Sequence, residues 1–257
     1  MQTPLRLIIL VLFTAVIALP WKPAQAQDPL RIATEGAYPP FNEVDKDGKL
    51  VGFDVDIAMA LCEAMGTTCT LESVAWDNLL PELNAGKFDV IVASMAKTPE
   101  REEHAIFTDY YYRSRSMFVG TPSTLFFQTR EGVKGMKLAA QEGTVQEQYL
   151  RDNFEGSASI VTAPDMKDCF DMLHKGEVDA VLSDSLTIFD FLQSDKGKRF
   201  DFIGNPLPAD DPSSEACIAV AKSKPQLAAQ INSALREIRF NGTYDRINLK
   251  YFPFSIY

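Results

Sequence analysis

Residues that bind transition metals are scarce in this sequence. Its 257 residues include two histidines, His104 and His174, and four cysteines, with no CxxC pair and no cluster of histidine with cysteine. Zinc sites in proteins are built from three or four such side chains held close together. We therefore expect no metal site, and nothing in the sequence indicates another cofactor.

Positive charge is also in short supply. The chain has 25 Lys and Arg residues against 35 Asp and Glu residues, which gives a formal charge of −10. An acidic chain of this kind is a poor partner for nucleic acid or an anionic membrane and is compatible with cationic ligands. Net charge mostly reports solubility, so it excludes partners more firmly than it selects them.

Long apolar runs are limited to the N-terminus, where residues 7–19 follow Arg6 and precede a small-x-small site at residues 24–26. This pattern predicts a secretory signal peptide over residues 1–26. The apolar core is short for a membrane span, although an uncleaved anchor is the alternative. Cleavage after Ala26 would remove Arg6 and Lys22 and leave an exported, soluble chain with a charge near −12.

The four cysteines favour disulfide bonds in an exported protein. Cys62 and Cys69 are close in sequence, and a bond between them would close a small loop between a predicted helix and the next strand. Cys169 and Cys217 are far apart, and the even count alone would pair them. The count therefore leaves the second pair open.

Apolar patterning predicts strands and helices that alternate along the chain after residue 27, which is typical of α/β architecture with largely parallel sheets. Gly86 closes one predicted helix, and Thr98 with Pro99 begins another as cap and first residue. The predicted strands are residues 30–34, 68–73, 90–93, 117–119, 137–140, 160–162 and 180–183. The predicted helices are residues 53–65, 78–85, 145–153, 166–175, 185–193 and 225–240.

A weak internal repeat indicates two lobes built on one plan. LNAGKFDVIVAS, residues 83–94, is similar to LHKGEVDAVLSD, residues 173–184, and ATEG at residue 33 is similar to AQEG at residue 140. Ligands of open α/β sheets bind beyond the carboxyl ends of the strands. The repeat therefore predicts that Glu35, Ser94, the turn at residues 141–143 and Asp184 surround one cleft.

Several motifs in the same order carry a family resemblance. They are ATEGAYPPFN, LVGFDVDIAMALC, FDVIVASMAKTPERE with FTDYYY, QEGTVQEQYL, GEVDAVLSD and NGTYDRINLKYF. Nearly the whole chain after residue 27 resembles the periplasmic polar amino-acid-binding proteins of ABC importers, in the branch for lysine, arginine, ornithine, histidine and opines. The resemblance implies a type II periplasmic binding protein fold, in which two α/β lobes, each a mostly parallel sheet flanked by helices, are joined by two hinge strands.

The resemblance also implies how the chain divides. Lobe one would be residues 28–112 and 215–257, and lobe two residues 113–214. Cys169 and Cys217 would then lie in different lobes, and a bond between them would tether two bodies that must move. On this basis we expect a Cys62–Cys69 disulfide and leave Cys169 and Cys217 unpaired.

The resemblance assigns the amino-acid backbone of a ligand to matching residues. Arg101 in TPER would hold the carboxylate through two parallel hydrogen bonds, with the N–H groups of Thr144 and Val145 at a helix N-terminus and the Ser94 hydroxyl as further donors. Asp184 would accept from the ammonium. The alternatives are a surface arginine within a charged run for Arg101, and a helix cap for Asp184.

The side chain of the ligand would be recognised by an acid with aromatic walls. Glu35 supplies a second carboxylate, which a binder of neutral amino acids does not need, and Tyr38 and Trp76 could stack on a guanidinium. Gln141 and Gln146 are secondary polar candidates. The alternatives are a solvated loop acid for Glu35 and core packing for the two aromatic residues.

The chain departs from the family pattern near the carboxylate end of the site. Ala96 stands where relatives often have a hydroxyl or an acid, and Lys97 adds a cation beside it, with Arg113 and Arg115 near the hinge. These changes leave two alternatives open: a ligand with an additional acidic group, such as an opine, or a gap filled by water.

The resemblance implies a periplasmic, monomeric binding protein that takes up a cationic amino acid, closes its lobes and is read by an ABC permease in the inner membrane. The sequence has no P-loop, so the chain would not power transport itself. The rival from another class is an enzyme, a periplasmic cyclohexadienyl dehydratase on the same fold, with Glu35 or Asp184 as general acid. A ligand-sensing partner of a receptor is a third alternative.

Overall fold

Strands and helices alternate along the chain in the computed structural model, which describes residues 28–257; the predicted signal peptide lies outside this range. The strands are β1 Leu30–Thr34, β2 Ala37–Tyr38, β3 Asn42–Val44, β4 Leu50–Val51, β5 Cys69–Ser73, β6 Val90–Ala96, β7 Ala105–Arg113, β8 Ser116–Gly120, β9 Lys137–Gln141, β10 Ser159–Ala163, β11 Ala180–Asp184, β12 Asp201–Ile203 and β13 Glu215–Ala221. The helices are α1 Phe53–Ala64, α2 Trp76–Asn84, α3 Pro99–Glu102, α4 Val145–Phe154, α5 Met166–Lys175, α6 Ser185–Gln193, α7 Pro225–Phe240 and α8 Thr243–Tyr251. None of the helices in this range is long and apolar enough to cross a membrane.

Two five-stranded sheets have the same plan. The first has the order β5-β1-β6-β13-β7 and the second the order β10-β9-β11-β8-β12. In each sheet the first three strands are parallel, and the last two join antiparallel. The repeat in the sequence corresponds to this plan, because its paired segments end in β6 and β11 and at the carboxyl ends of β1 and β9.

The prediction of α/β architecture with mostly parallel sheets is confirmed, because in each sheet one strand, β13 or β8, runs against the other four. The sequence analysis assigned no strand to β7, β12 or β13 and no helix to α8. β13 follows β12 without an α-helix between them, so the strand–helix alternation does not point to it. β7 alternates irregularly between buried and exposed residues and β12 is three residues long, so neither gives a clear apolar run.

Strand β13 closes the first sheet from an interior position, as the fourth of its five strands. This strand comes from the C-terminal part of the chain, yet it lies between β6 and β7, with Ala216 opposite Ala96 and Tyr112. Its seven residues are buried apart from Glu215. A strand buried on both faces reads as a continuous apolar run, and EACIAVA has that character.

An aromatic cluster supports the end of the first sheet that carries the candidate site. The ring of Phe41 stacks on Tyr112 at 4.6 Å between centroids, and Phe53 meets Tyr111 at 6.2 Å. Burial of each such ring stabilises the fold by roughly 2 kcal/mol. Large rings with two side-chain torsions each make a rigid base for the loops above them.

The cysteines have the states that the family resemblance implies. Cys62 and Cys69 are bonded, linking the C-terminal part of α1 to the start of β5. Cys169 and Cys217 are buried and unpaired; Cys169 lies in α5, which packs beside β9 of the second sheet, and Cys217 lies in β13 of the first sheet.

Candidate functional site

One cavity brings together all ten side chains that the sequence analysis selected. It lies between the two sheets, at the ends of β1, β6, β9 and β11. The empty space of the cavity, including its opening to solvent, is about 510 Å³. The centre of a water molecule can occupy about 40 Å³ of that space. The facing side chains are therefore close together. The selected residues that line it are Glu35, Tyr38, Trp76, Ser94, Arg101, Gln141, Thr144, Val145, Gln146 and Asp184.

Glu35 is a buried acid without an ion-pair partner in the described chain. It follows β1 directly and is 6% exposed, and its Oε1 accepts a hydrogen bond from Gln141 Nε2 at 2.5 Å. Burial, with a smaller effect of the nearby acids Asp165 and Asp77, raises the pKa of Glu35 to about 8 against the opposing hydrogen bond from Gln141. A cation placed beside this carboxyl group would reverse both effects. The alternative of a solvated loop acid is wrong.

Arg101 spans the space between the two sheets. Its Nη1 donates to Ala96 O at 2.8 Å and its Nη2 to Gly143 O at 3.1 Å, while the guanidinium lies 5.2 Å from the centroid of the Trp76 ring. The side chain is 8% exposed, and desolvation lowers its pKa to about 10, so it stays charged at neutral pH. The alternative of a surface arginine is wrong.

The ring of Trp76 therefore contacts the protein's own guanidinium as well as the cavity. Trp76 begins α2, two residues before the predicted start, and packs against the core of the first sheet. Both interpretations of this residue, as core and as cavity wall, describe part of its surroundings. The same holds for Tyr38, which packs 5.9 Å from Phe41 and shares a hydrogen bond of 3.2 Å with Ser183 Oγ.

Asp184 caps a helix and lines the cavity at the same time. Its Oδ1 accepts from the N–H of Leu186 at 2.8 Å and from Ser114 Oγ at 2.7 Å. Because both hydrogen bonds go to Oδ1, the second oxygen can accept from a ligand. The side chain is 6% exposed, and burial raises the pKa of Asp184 to about 6.

Ser94 corrects one expectation. Its hydroxyl donates to Asp54 Oδ2 at 3.0 Å, so it does not donate into the cavity as the sequence analysis supposed. The N–H of Ser94 is also used, by Tyr111 Oη at 2.9 Å. Ser94 has φ 53°, a left-handed conformation that is uncommon for a residue with a side chain. Towards the cavity its oxygen offers lone pairs.

The start of α4 contributes the remaining predicted residues. Thr144 caps the helix by accepting from the N–H of Glu147 at 3.2 Å and donates its own hydroxyl to Gln141 O at 2.6 Å. Val145 is the first helical residue, and N–H groups in this turn favour an anion. Gln146 donates to Ser116 Oγ at 2.9 Å and lines the cavity from the same turn.

Several lining residues were not predicted. They are Ala93, Tyr112, Met166, Ser213, Glu215 and Ala216, with Ala96 noted before only as a departure from the family pattern. Glu215 and Ala216 begin β13, a strand that the sequence analysis did not assign, and Tyr112 lies in the unassigned β7. The tyrosine run DYYYR and the acid before the apolar run CIAVA were the available signals.

The basic residues near the hinge are occupied elsewhere. Lys97 pairs with Glu102 at 3.0 Å, Arg113 pairs with Glu215 at 2.6 Å, and Arg115 donates to Leu207 O. Among the lining residues of the described chain, Arg101 is the one cationic side chain, against the carboxyl groups of Glu35, Asp184 and Glu215. Within residues 28–257 no group of three or more metal-binding side chains comes together.

Comparison with known proteins agrees with this architecture. The L-arginine-binding protein of Pseudomonas aeruginosa is 36% identical over 235 residues, which cover 90% of this chain and 91% of that protein. The lysine/arginine/ornithine-binding periplasmic protein of Escherichia coli is 31% identical over 237 residues, covering 91% of each chain. Among solved structures, an ancestral arginine-binding protein bound to arginine superposes with a TM-score of 0.81 at 30% identity, over 89% of this chain and 100% of that one.

The family match spans almost all of the described chain. Residues 30–254 match the bacterial extracellular solute-binding proteins, family 3. Two sheets of one plan with a cavity between their strand ends agree with this match. The chain belongs to the bacterial extracellular solute-binding proteins of family 3.

Proposed function

We propose that this protein is the solute-binding component of an ABC amino-acid importer and binds a cationic amino acid of the arginine, ornithine, lysine or histidine type in the cavity between its sheets. The observation that carries the proposal is the charge of the cavity lining: Glu35 and Asp184 have no ion-pair partner among the described residues, the third acid, Glu215, pairs with Arg113, and Arg101 is the cation. A cationic amino acid brings one carboxylate and two positive groups. Its charges complement the lining, and each buried charge gains a partner.

The carboxylate of the ligand is assigned to Arg101 and the first turn of α4. A guanidinium has five N–H donors, and Arg101 uses two positions on the carbonyls of Ala96 and Gly143, which fixes its plane. The N–H groups of Thr144 and Val145 lie at the N-terminus of α4, where the helix dipole favours an anion. Ala96 has no hydroxyl to add, but its carbonyl holds the arginine.

The ammonium of the ligand is assigned to Asp184 and Ser94, and the side chain to Glu35. Asp184 has one carboxylate oxygen not engaged by Ser114 or Leu186, and the Ser94 oxygen offers lone pairs because its proton goes to Asp54. Glu35 is the acid for a guanidinium or a second ammonium, with Tyr38 and Trp76 as walls and Gln141 and Gln146 as polar neighbours.

Closure of two lobes follows from residues that belong to different sheets. We place lobe one at residues 28–112 and 215–257 and lobe two at residues 113–214, with crossings beside β7 and β13. Ligand contacts from both lobes favour the closed form over the open one. A permease in the inner membrane would read that closed form of a monomeric, periplasmic protein, exported through cleavage of the predicted signal peptide.

The charge of the lining also separates this function from the other candidates. An opine has an additional carboxylate, which would meet Asp184 or Glu35 without a second free cation, since Lys97 pairs with Glu102 and Arg113 with Glu215. A cyclohexadienyl dehydratase is favoured by one feature, because Glu35 retains its proton near neutral pH and could act as a general acid. Its dianionic substrate would meet the same excess of carboxyl groups.

The test is a calorimetric panel on the mature protein with L-arginine, L-ornithine, L-lysine, L-histidine, octopine, L-glutamine and L-glutamate. We expect the cationic amino acids to bind tightest and to raise the melting temperature, because they bind only the folded chain. Binding of glutamate or glutamine alone would overturn the proposal, and preference for octopine would move it to opines. Turnover of prephenate would make the protein an enzyme.

A further inference from the structure

A buried aspartate outside the cavity connects the loops that form it. Asp54 lies in the first turn of α1, is 0% exposed and forms no ion pair with the described residues. It accepts three hydrogen bonds: from Tyr111 Oη to Oδ1 at 2.5 Å, from Asn42 Nδ2 to Oδ2 at 2.8 Å, and from Ser94 Oγ to Oδ2 at 3.0 Å. Burial raises the pKa of Asp54 to about 6, and these donors oppose the rise, so the group is a carboxylate at pH 7.

Two residues in the left-handed region depend on this carboxylate. Ser94, at φ 53°, donates its hydroxyl to Asp54 and its N–H to Tyr111 Oη, which itself donates to Asp54. Gly36, at φ 80°, donates its N–H to Asn42 Oδ1 at 2.7 Å, and Asn42 donates to Asp54. Ser94 lines the cavity at the end of β6, and Gly36 follows Glu35 at the end of β1. Asp54 therefore supports the ends of both strands.

We propose that Asp54 is a positioning residue that sets the preference of the cavity for positive groups, acting through Ser94 and through the loop of Glu35. A hydroxyl has one proton to donate, and the proton of Ser94 goes to Asp54. The Ser94 oxygen therefore faces the cavity as an acceptor, which suits an ammonium and opposes a carboxylate. This inference rests on the proposed function, because it assumes that a cationic amino acid occupies the cavity.

Stability alone gives a weak account of Asp54. A fully buried carboxylate loses its hydration, and the hydrogen bonds from three neutral donors only offset that cost. An apolar side chain of similar size would therefore stabilise the fold about as well. The same arrangement does hold Ser94 in a left-handed backbone conformation, which is strained for a residue with a side chain. Because the strained residue lines the cavity, we infer that the network serves to fix the geometry of that cavity.

A double-mutant cycle tests the inference. Tyr111→Phe removes one hydroxyl from the network, and Ser94→Gly removes both the strain and the hydroxyl that the network holds. We expect Tyr111→Phe to weaken L-arginine binding about tenfold in the wild-type background and less than twofold in the Ser94→Gly background, because coupled residues are not additive. Asp54→Asn should weaken binding more than Tyr111→Phe. The amide nitrogen of the new asparagine is a hydrogen-bond donor, and it would face groups that now donate to Asp54.

The matched control is Tyr244→Phe. Tyr244 is buried in the same aromatic cluster, and its hydroxyl donates to the carbonyl of Tyr111 at 2.7 Å rather than to Asp54. This variant should lose a similar amount of thermal stability and keep its affinity for L-arginine. Melting curves of all variants show that they are folded.

The outcomes separate this inference from the proposed function. Wild-type protein that does not bind L-arginine, L-ornithine, L-lysine or L-histidine would contradict the proposed function. Wild-type binding with an equal effect of Tyr111→Phe in both backgrounds, or with a loss of stability and no loss of affinity, would contradict the role of Asp54.

Discussion

Gln141 Nε2 donates a hydrogen bond of 2.5 Å to Glu35 Oε1, joining side chains that are 106 residues apart and belong to different sheets. The amide is a neutral partner for an acid that is 6% exposed, so the hydrogen bond lowers the pKa of Glu35 less than burial raises it. In the absence of a cation the group keeps its proton near neutral pH. A positive ligand must therefore displace that proton.

Binding of L-arginine should release protons and strengthen with pH. The free protein holds protons on Glu35 up to about pH 8 and on Asp184 up to about pH 6, and a cation lowers the pKa of both. Affinity should rise from pH 5 to about pH 8, by up to about tenfold per pH unit for each proton released, and be flat above. Calorimetry in buffers of different ionisation enthalpy measures the released protons. An affinity that does not change over this range would contradict the burial of an unpaired Glu35.

Glu35→Gln should lose affinity and gain stability. Removing the acid leaves a buried cation of the ligand unpaired, so we expect L-arginine to bind about 100-fold more weakly. In the ligand-free protein, Glu35 titrates near 4.5 when unfolded and near 8 when folded, so the wild type loses stability as pH rises across that window.

The free energy of unfolding of the variant should therefore exceed that of the wild type by about 4 kcal/mol at pH 8 and be nearly the same at pH 4.5. Glu72→Gln removes an exposed carboxylate from β5 of the same sheet and serves as the matched control. It should leave the affinity for L-arginine unchanged. A destabilised Glu35→Gln protein at pH 8 would contradict the raised pKa.

Gly143→Ala should weaken binding through a close approach between the sheets. Gly143 has φ 68°, and a Cβ there would lie 3.0 Å from Asp77 Oδ1 and 3.3 Å from Trp76 Nε1. The added methyl group opposes the contact that Arg101 makes with the Gly143 carbonyl, and we expect an affinity loss of about tenfold. Calorimetry with L-arginine measures it.

Gly135→Ala provides the control for backbone strain. Gly135 has φ 77°, and a Cβ there would meet nothing within 4 Å. Both variants should lose about 1 kcal/mol of stability from the left-handed conformation, but only Gly143→Ala should lose affinity. Equal affinity losses would show that strain rather than contact across the cavity is responsible.

The Cys62–Cys69 bond should matter for stability and not for binding. The bond closes a short loop between α1 and β5, so the Cys62→Ala/Cys69→Ala double variant should unfold in urea with about 2 kcal/mol less free energy of unfolding. Dithiothreitol should bring the wild type to the same value and leave the double variant unchanged. A tenfold loss of L-arginine affinity in the double variant would contradict the separation of this loop from the cavity.

The sequence predicts the position of the cavity well because strand ends carry its residues. Glu35, Asp184 and Gln141 each stand at the end of an apolar strand, and the repeat places those ends together. No strand was predicted at β7 or β13, so their cavity residues Tyr112 and Glu215 were missed. Ser94 was assigned the wrong polarity for a different reason: the residue that takes its proton, Asp54, is 40 positions away and looks like an ordinary acid in the first turn of a helix.

The position of β13 has a consequence for how the chain acquires its structure. All five strands of the second sheet lie between residues 116 and 203, whereas the first sheet needs residues 215–221 between β6 and β7. A polypeptide that emerges with its N-terminus leading therefore completes its second sheet before its first, although four strands of the first have already appeared. Until residues 215–221 arrive, one edge of β6 has no strand paired to it. The part of the cavity that carries Arg101 and Ser94 then lacks the support of β13.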